Sequence, residues 1–459
     1  MTQSFSDGAP GSASPGFSLV EMLVAVAIGG LVTVSLIELL ADSKATYLRE
    51  TEYARLQEDA RLTALLASEK LRTNRSLGCR GIALVEQEGQ FTVEACKLLD
   101  TPSGADCDHD GWKADPTFLS MDRALGYDNS ADLSNASNLT DLPGDGAINI
   151  AARWLRGDVF VTWGVDGAGA GVTSTLTSVT AQDGGYEGAG MLEIAAIPDG
   201  VEQGSLALVT DCVAADLFEV TGPDGLESNG DVALAHEVSI GGNDRSSNAS
   251  DTVSRAYNWA LESAPAAQER MTSHPLYRAT VYPFSYDAYY VCCLHTNDRS
   301  IQSGSDVDRC TEEGSDFDRY RPSLCVWSAE DGQSRAVVTN VADLRVTYTG
   351  DEDGDGELDF HADDTAPTPT AAWVSSANGG RGAWAGVRAA ALEVLVATGR
   401  DNVGTASKLP ASDAWPPGTG EGVMAGDTLG ADLPADKRLY RRLVVNVAMR
   451  ARTPWYIAP

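Results

Sequence analysis

Basic residues are scarce in this sequence, and the first sixteen positions contain none. The chain of 459 residues has 33 Lys and Arg against 66 Asp and Glu, which gives a net charge of −33 at pH 7. An acidic surface of this kind repels nucleic acid and anionic lipid at long range. We therefore expect an exterior that stays dispersed outside the cytoplasm, and nucleic acid is not an expected partner.

Sequence signatures of catalysis are also missing. The chain has no H-E-x-x-H, no G-x-S-x-G, and no Gly-Lys pair that could end a phosphate-binding loop. These motifs belong to zinc proteases, serine hydrolases and nucleotide-binding enzymes respectively. The sequence therefore does not predict an enzyme.

Cysteine occurs eight times but never as C-x-x-C. An even number of cysteines in loops and strands favours an oxidising compartment with disulfides. Sequence alone does not determine their connectivity. Two candidate pairs each close a short local loop, Cys79 with Cys96 and Cys310 with Cys325.

A zinc site is the alternative use of several of these cysteines. Cys292, Cys293 and His295 could bind the ion together with Cys310 and Cys325. However, C-C-x-H is not a usual ligand spacing, and a chain outside the cytoplasm favours disulfides. We therefore expect disulfides rather than zinc.

Proline is absent between Gly16 and Pro102, and the first part of this stretch is apolar. A helix over residues 17–40 would be about 36 Å long, which is enough to cross a bilayer. Residues 41–78 are rich in helix-forming Ala, Leu, Glu and Arg, so we expect the helix to continue as an amphipathic half. Its apolar stripe recurs at helical spacings, at Leu48, Tyr53, Leu56, Ala60, Leu62, Leu66 and Leu77.

Glu21 is the unexpected residue of the apolar half. A carboxylate within a hydrocarbon layer is costly and is usually paired or functional. If the chain is cut before Phe17, the new α-amino group lies one helical turn from Glu21 and can neutralise it, in the same subunit or in a neighbouring one. The alternative is that Glu21 is an interfacial acid of a simple membrane anchor.

The residues around Glu21 resemble a known processing site. G-F-S-L-V-E-M-L-V-A at Gly16–Ala25 is similar to the prepilin cleavage motif. The resemblance implies that prepilin peptidase cuts after Gly16, that Phe17 becomes a methylated N-terminus, and that Glu21 directs filament assembly. Residues 1–16 would then be the leader. Leaders of this family usually carry positive charge, and this one carries none.

Later segments are similar to PilW-type minor pilins of type IV pili. They occur in order along the chain, at Leu208–Thr221, Ala288–Val291, Arg321–Leu324, Val341–Tyr348, Trp384–Val396 and Asp436–Arg450. The resemblance implies a subunit that helps to initiate pilus assembly and sits at or near the tip. Its partners would be major pilins, other minor pilins and a tip adhesin. The alternatives are a minor pseudopilin of type II secretion, or a module that itself binds a surface or DNA.

The same resemblance implies a location and a fold. The precursor is expected to span the inner membrane once, and the fimbrial subunit to carry its head in the periplasm or outside the cell. The expected fold is α+β, with the long N-terminal helix packed on a β-rich antiparallel head at residues 79–459 that contains insertions. Apolar alternations predict strands at Asp158–Trp163, Ser205–Thr210, Arg278–Tyr282, Ala288–Leu294, Val341–Thr349 and Leu443–Met449.

The acidic segment D-E-D-G-D-G-E-L-D matches the first nine positions of a calcium loop. Carboxylates would come from Asp351, Asp353, Asp355 and Asp359, and a backbone carbonyl from Glu357. The Glu expected at the twelfth position is absent, so a complete helix-loop-helix hand is not expected. We predict a structural Ca²⁺ ion here. An acidic turn between strands is the alternative.

A basic cluster lies near the end of the acidic chain. It consists of Lys437, Arg438, Arg441, Arg442, Arg450 and Arg452. Such a cluster could contact DNA phosphates, or it could be the solvated face and ends of a strand. We favour the second interpretation.

Overall fold

The computed structural model has two compact units, Met1–Ala54 and Arg55–Pro459. It describes residues 18–74, 84–87, 90–93, 95–97, 126–128, 150, 152–165, 167–175, 191–210, 215–226, 232–235, 279–310, 319–329, 332–352, 357–361, 369–380, 384–399 and 440–449. The described part of the first unit is entirely helical apart from Ser18, and all strands belong to the second unit.

A single long helix, α1, runs from Leu19 to Thr73. Its 55 residues correspond to a length of about 82 Å at 1.5 Å per residue. Gly29 and Gly30 lie inside it without interrupting it, because the neighbouring residues are good helix formers and proline is absent. The expected long N-terminal helix is therefore present.

Asn74 ends this helix by bonding to a strand. Its buried side-chain amide donates to the carbonyl oxygen of Val161 at 3.1 Å. Its side-chain oxygen accepts the backbone N–H of Trp163 at 2.9 Å. The two bonds replace one step of a β-ladder, so the end of α1 is fixed to a strand 87 to 89 residues further along the chain.

Within the described residues, the remaining elements are seventeen strands, one short helix and two 3₁₀ turns. The strands are β1 (Leu84–Gln87), β2 (Gln90–Val93), β3 (Ala95–Lys97), β4 (Gly126–Tyr127), β5 (Trp154–Val165), β6 (Ala170–Thr175), β7 (Met191–Ile194), β8 (Leu206–Thr210), β9 (Ala215–Glu219), β10 (Gly222–Leu226), β11 (Val232–Ala235), β12 (Thr280–His295), β13 (Tyr320–Ser328), β14 (Ser334–Thr339), β15 (Val341–Gly350), β16 (Val387–Ala397) and β17 (Tyr440–Ala448). The short helix α2 is Ala371–Gly380, and the 3₁₀ turns are Gly304–Cys310 and Trp384–Gly386.

Twelve of the described strands form one sheet around β12. The first residues of β12, Thr280–Pro283, pair with β6 and β8, and the rest pairs with β5 and β13. Its pairings are antiparallel, and only the short β3–β9 pairing within this sheet is parallel. The two strands predicted at 278–282 and 288–294 are thus parts of one strand, which continues through Pro283.

A second, three-stranded sheet has the order β15-β16-β17 and is antiparallel. β15 contacts β5 of the large sheet. The approach is close at Gly157, whose φ is +75° and where a Cβ atom would lie 2.5 Å from both Asp343 Oδ1 and the Leu344 carbonyl oxygen. This position therefore requires glycine.

The core fills both faces of the large sheet. In β8, Leu206 and Leu208 join the main apolar cluster, whereas Ala207 and Val209 join a second one. Because successive strand residues point to opposite faces, β8 is buried on both sides, and it reads as a continuous apolar run. The main cluster also contains side chains of β5, β12, β13, β15, β16, α1 and α2.

The second unit's part of α1 contributes a buried stripe to this cluster. The buried positions recur every three or four residues, at Leu56, Ala60, Thr63, Ala67 and Leu71. This period places them on one helix face. Leu56 and Ala60 were predicted members, and Leu66 packs against the cluster. Tyr53 and Leu62 are each 48% exposed, so these two members of the predicted apolar stripe do not lie on the buried face.

Two disulfides join neighbouring cysteines of β12 to different partners. Cys292 is bonded to Cys325 of β13, and Cys293 is bonded to Cys310 in the 3₁₀ turn. The predicted pairing of Cys310 with Cys325 is therefore wrong. Adjacent strand residues point to opposite faces of a sheet. Cys292 therefore points to the face on which Cys325 lies, and Cys293 points to the face on which Cys310 lies. The prediction for Cys79 and Cys96 lies outside the described side chains.

All four cysteines are nearly or fully buried, and each bond closes a loop of moderate length. The sequence separations are 33 residues for Cys292–Cys325 and 17 residues for Cys293–Cys310. Chain-entropy arguments give about 2–5 kcal/mol of stability for a native disulfide of this kind. The disulfides also exclude these four sulfurs as thiolate ligands of zinc.

The double variant Cys293→Ser/Cys310→Ser removes both partners of one disulfide and is the matched variant. We predict that it keeps the Cys292–Cys325 bond and loses about 2–5 kcal/mol of unfolding free energy. Denaturation of the full-length chain in detergent measures the loss. Thiol labelling under denaturing conditions then distinguishes the connectivity, because Cys292 and Cys293 are adjacent and peptide mapping cannot separate them. The matched variant should expose no additional thiol, whereas Cys292→Ser/Cys310→Ser should expose two. Equal labelling of the two variants would contradict the assigned pairing.

Candidate membrane and assembly site

The N-terminal part of α1 exposes an apolar surface on all sides. Every residue from 18 to 47 is exposed. Leu19 is 76% exposed and Leu31 is 70% exposed. An 18-residue window of the helix has a mean hydropathy of 2.4, so α1 is long and apolar enough to cross a membrane. Water would not tolerate so large an apolar surface, which therefore needs lipid or other protein around it.

Glu21 lies in the first turn of α1 and forms a capping box with Ser18. Glu21 Oε2 accepts the Ser18 backbone N–H at 2.9 Å, and the Glu21 backbone N–H donates to Ser18 Oγ at 3.2 Å. The spacing S-x-x-E is the sequence signature of this motif. The prediction for Glu21 rested on its charge and did not include Ser18, although the spacing S-L-V-E signals the capping box. Gly16 and Phe17 lie outside the described residues.

The capping box leaves Glu21 able to accept further hydrogen bonds. An ionised carboxylate offers about four lone-pair sites, and the contact with Ser18 uses one oxygen. The negative charge is also favourable at the positive end of the helix dipole. Glu21 can therefore stabilise the start of the helix and still receive an ammonium group.

Two polar contacts hold the second half of α1 on the head. Asp59 Oδ2 accepts the side-chain amide of Asn340 at 2.9 Å, across 281 residues of sequence. Lys70 Nζ lies 4.0 Å from the carboxylate of Asp287 on β12. Partial burial raises the pKa of Asp59, and the Asn340 hydrogen bond opposes this rise. With Asn74, these contacts fix the rotation of the helix about its axis.

Two acidic side chains of the head accept hydrogen bonds from backbone N–H groups of β15 and α2. Asp158 Oδ2 accepts the backbone N–H of Val346 at 2.8 Å. Asp128 accepts the N–H groups of Ala371 and Ala372 at 2.9 and 2.8 Å, and so caps the first turn of α2. Both acids thus satisfy backbone donors that would otherwise be unpaired inside the head.

The environment of Asp158 opposes its ionisation. Desolvation raises its pKa well above the usual range, and the charges of Asp128 and Asp343 add to the effect. The Val346 hydrogen bond and the charge of Arg345 act in the opposite direction without cancelling it. Because the pKa is higher in the folded state, the carboxyl contributes stability at low pH that is lost as the pH rises through the folded-state pKa.

We predict that Asp158→Asn and wild type are similarly stable near pH 4, and that the variant becomes the more stable as the pH rises towards 8. The Asn carbonyl still accepts the Val346 N–H but carries no charge. Asp158→Ala is the control, since it leaves this N–H unpaired and should be about 1–3 kcal/mol less stable than Asp158→Asn throughout. Thermal unfolding of the full-length protein across this pH range gives both comparisons. A variant Asp158→Asn that becomes less stable than wild type as the pH rises would contradict the raised pKa of Asp158.

The predicted calcium loop follows β15 and is described only at its two ends. Asp351 is buried, and its carboxylate lies 3.8 Å from the guanidinium of Arg388. Asp359 Oδ2 accepts the backbone N–H of Glu352 at 2.5 Å. Asp353 and Asp355 lie outside the described residues, and Glu357 is exposed. The described part of the chain contains no group of three potential metal ligands.

A calcium ion at this loop would compete with Arg388 for the carboxylate of Asp351, so we predict weak binding. Calorimetry on the full-length protein should give a Kd of about 10⁻⁴–10⁻³ M, the range of weak calcium modules. Asp353→Asn/Asp355→Asn should abolish the heat. The control Asp363→Asn/Asp364→Asn, which changes neighbouring acids outside the nine-residue match, should not. Absence of binding at millimolar calcium would leave the acidic turn as the correct interpretation.

The basic cluster lies partly on β17. Arg441 is exposed. Arg442 bonds through Nε to Glu393 Oε1 at 2.9 Å, and Glu393 is buried on the neighbouring strand β16. Arg442 thus has a structural partner inside the sheet. The other four basic residues, Lys437, Arg438, Arg450 and Arg452, lie outside the described part.

No known family model, curated protein or solved structure matches this chain. The observations define a class of protein rather than a family. It is an α+β protein with one N-terminal helix able to cross a membrane, an antiparallel β-rich head and two disulfides among the described cysteines.

Proposed function

We propose that the protein is a minor pilin, which is processed at Gly16–Phe17 and helps to initiate a type IV pilus at or near its tip. The observation that carries this proposal is the division of labour within α1. Its N-terminal part exposes apolar side chains on all sides, and its later part is built into the head. A filament core needs the first property, and a surface domain needs the second.

The position of Glu21 supports a filament rather than a simple anchor. Glu21 stands at the first turn of the helix, four residues after Phe17. A new α-amino group at Phe17 would bring a positive charge within one turn of the carboxylate. In an apolar environment such a pair is strong, and loss of one partner costs about 3–5 kcal/mol. The arrangement favours insertion of a subunit into the filament only where its Glu21 carboxylate meets an α-amino group.

The size and charge of the head support a terminal position. Residues 79–459 far outnumber those of the helix, and the whole chain has a net charge of −33. Identical heads of this charge would repel one another along a shaft. A single subunit, or a few, at the tip avoid this repulsion. A minor pseudopilin of type II secretion has the same requirements, and is the second candidate.

A tip adhesin or a DNA-uptake module is the candidate from a different class. Exposed Arg441 favours it, and the acidic balance of the chain opposes it. Deletion of the gene separates these functions. Loss of pili favours the minor pilin, loss of secretion with pili intact favours the pseudopilin, and loss of adhesion or DNA uptake alone favours the binding module.

We predict that the mature protein begins at methylated Phe17, because the peptidase would cut after Gly16. Mass spectrometry of the native N-terminus checks this directly. A mature chain that still carries Met1–Gly16 would refute the proposal.

We also predict that Glu21→Gln is processed but is lost from sheared filaments. Gln preserves the capping box and removes the charge, so helix formation is retained while the pairing with an ammonium group is not. A penalty of about 3–5 kcal/mol lowers incorporation well over tenfold. Glu38→Gln changes the other acid of the apolar run and is the matched control. Normal incorporation of Glu21→Gln would remove the assembly role.

A further inference from the structure

The two edges of the three-stranded sheet differ in how their backbone groups are used. The strand order is β15-β16-β17, so β15 and β17 are the outer strands. In an antiparallel sheet, alternate residues of an outer strand direct N–H and C=O groups away from the sheet. Such an edge can pair with another chain unless its groups are covered.

The hydrogen bonds determine which residues face outward. The Val346 N–H donates to Asp158 and not to β16. The backbone N–H and C=O groups of even-numbered residues of β15 therefore point away from the sheet. Val346 is paired with Leu392, and Leu392 is paired with Val445. Because bonding alternates between the two sides of β16, Leu392 and Val445 bond to each other. The Met449 N–H donates to the Arg388 carbonyl, so this odd-numbered residue, like Val445, bonds towards β16. Even-numbered residues of β17 therefore face outward.

Every outward N–H of β15 from Leu344 to Gly350 has a partner. The partners are the Asp343 side chain for Leu344, Asp158 for Val346, the Pro369 carbonyl for Tyr348 and the Phe360 carbonyl for Gly350. Two are carboxylates and two are loop carbonyls. This edge is closed.

The β17 edge is different. Val444, Asn446 and Ala448 are all exposed, and Val444 is an apolar side chain at 46% exposure. Within the part of the chain that the structure describes, no partner occurs for their outward N–H groups. The edge strand β14 of the large sheet has six residues, of which only Arg335 is exposed. β17 is thus the better template for an added strand.

Charge indicates the kind of strand that would pair there. Residues 437–459 contain no Asp or Glu, in a chain with 66 acids, and include all six residues of the basic cluster. Exposed Arg441 lies on β17 itself. Pairing of β17 with β17 of a second copy would bring two segments of net positive charge together, which is unfavourable. An incoming strand with acidic residues would instead be complementary.

We propose that the β17 edge binds an extended acidic segment of a different subunit of the same assembly, by addition of a strand. The identity of the assembly rests on the proposed function, whereas pairing at this edge does not. Backbone groups of Val444, Asn446 and Ala448 would supply the hydrogen bonds. An apolar residue of the partner would cover Val444, and its carboxylates would face Arg441.

The experiment places a photo-reactive amino acid at Asn446 of the full-length protein in its native cells. We expect a crosslink to an acidic segment of a second, different polypeptide, identified by mass spectrometry of the joined peptides. The same substitution at exposed Ile197 should give no such product.

Proline at Val444 tests the backbone pairing. Val444→Pro removes one outward N–H and spares the bonds to β16, so the head should fold and the crosslink should fall at least about tenfold, as expected for loss of a strand pairing. Val444→Thr keeps the N–H and should retain the crosslink. Intact disulfides in both variants report folding. Val445→Pro should prevent folding, because its N–H bonds to β16.

Charge reversal gives an independent test that does not depend on a proline. Arg441→Glu should reduce the crosslink several-fold, and Arg335→Glu on β14 should leave it unchanged. The proposal is overturned if the product joins Asn446 to another part of the same chain, to a second copy of it, or to nucleic acid. It is also overturned if no product forms, or if Arg441→Glu has no effect. If the crosslink forms but deletion of this gene leaves pili intact, the pilin function is refuted. The inference that the β17 edge pairs with a strand would still stand.

Discussion

One helix must satisfy two different surroundings, and this constraint organises the molecule. Between residues 18 and 47 the side chains of α1 are exposed on every side, whereas from Leu56 to Leu71 a stripe at three- and four-residue spacing is buried in the head. A continuous helix allows this change without a break in its backbone bonds, since only the side-chain pattern differs. The polar contacts of Asp59 and Asn74 attach the same part of the helix to the head.

Two acids of the head, buried Asp128 and partly buried Asp158, accept hydrogen bonds from backbone donors. Asp128 caps α2, and Asp158 closes part of the β15 edge, although burial disfavours the ionised form of Asp158. The cost of burying a carboxyl is offset by the backbone donors that it satisfies. On the neighbouring β17 edge, the outward N–H groups of Val444, Asn446 and Ala448 have no such partner among the described residues. The same three-stranded sheet thus has one edge closed by the chain itself and one edge suited to a partner, and exposed Arg441 lies on the latter strand.

Several features were accessible from sequence because they depend on local periodicity. The helix was visible in its apolar run and absence of proline, and β15 and β17 were visible in alternating apolar residues. Other features depend on contacts between distant residues. The division of β12 into two predicted strands arose at Pro283, which normally disfavours a central strand, but here stands where β12 changes partners. The pairing of Cys310 with Cys325 was inferred from loop length, whereas strand direction decides which sulfur can be reached.

The sequence by itself determined that the protein has one apolar N-terminal helix, an acid in its first turn and a β-rich head, because these properties reside in short stretches of side chains. Only the tertiary structure decided which face of the helix is buried, which cysteines are joined and which sheet edge is closed. Those outcomes require groups such as Asp158 and Val346, 188 residues apart, to meet in space. Local patterns carry no record of such meetings, since chain direction and register bring the groups together only in the folded protein.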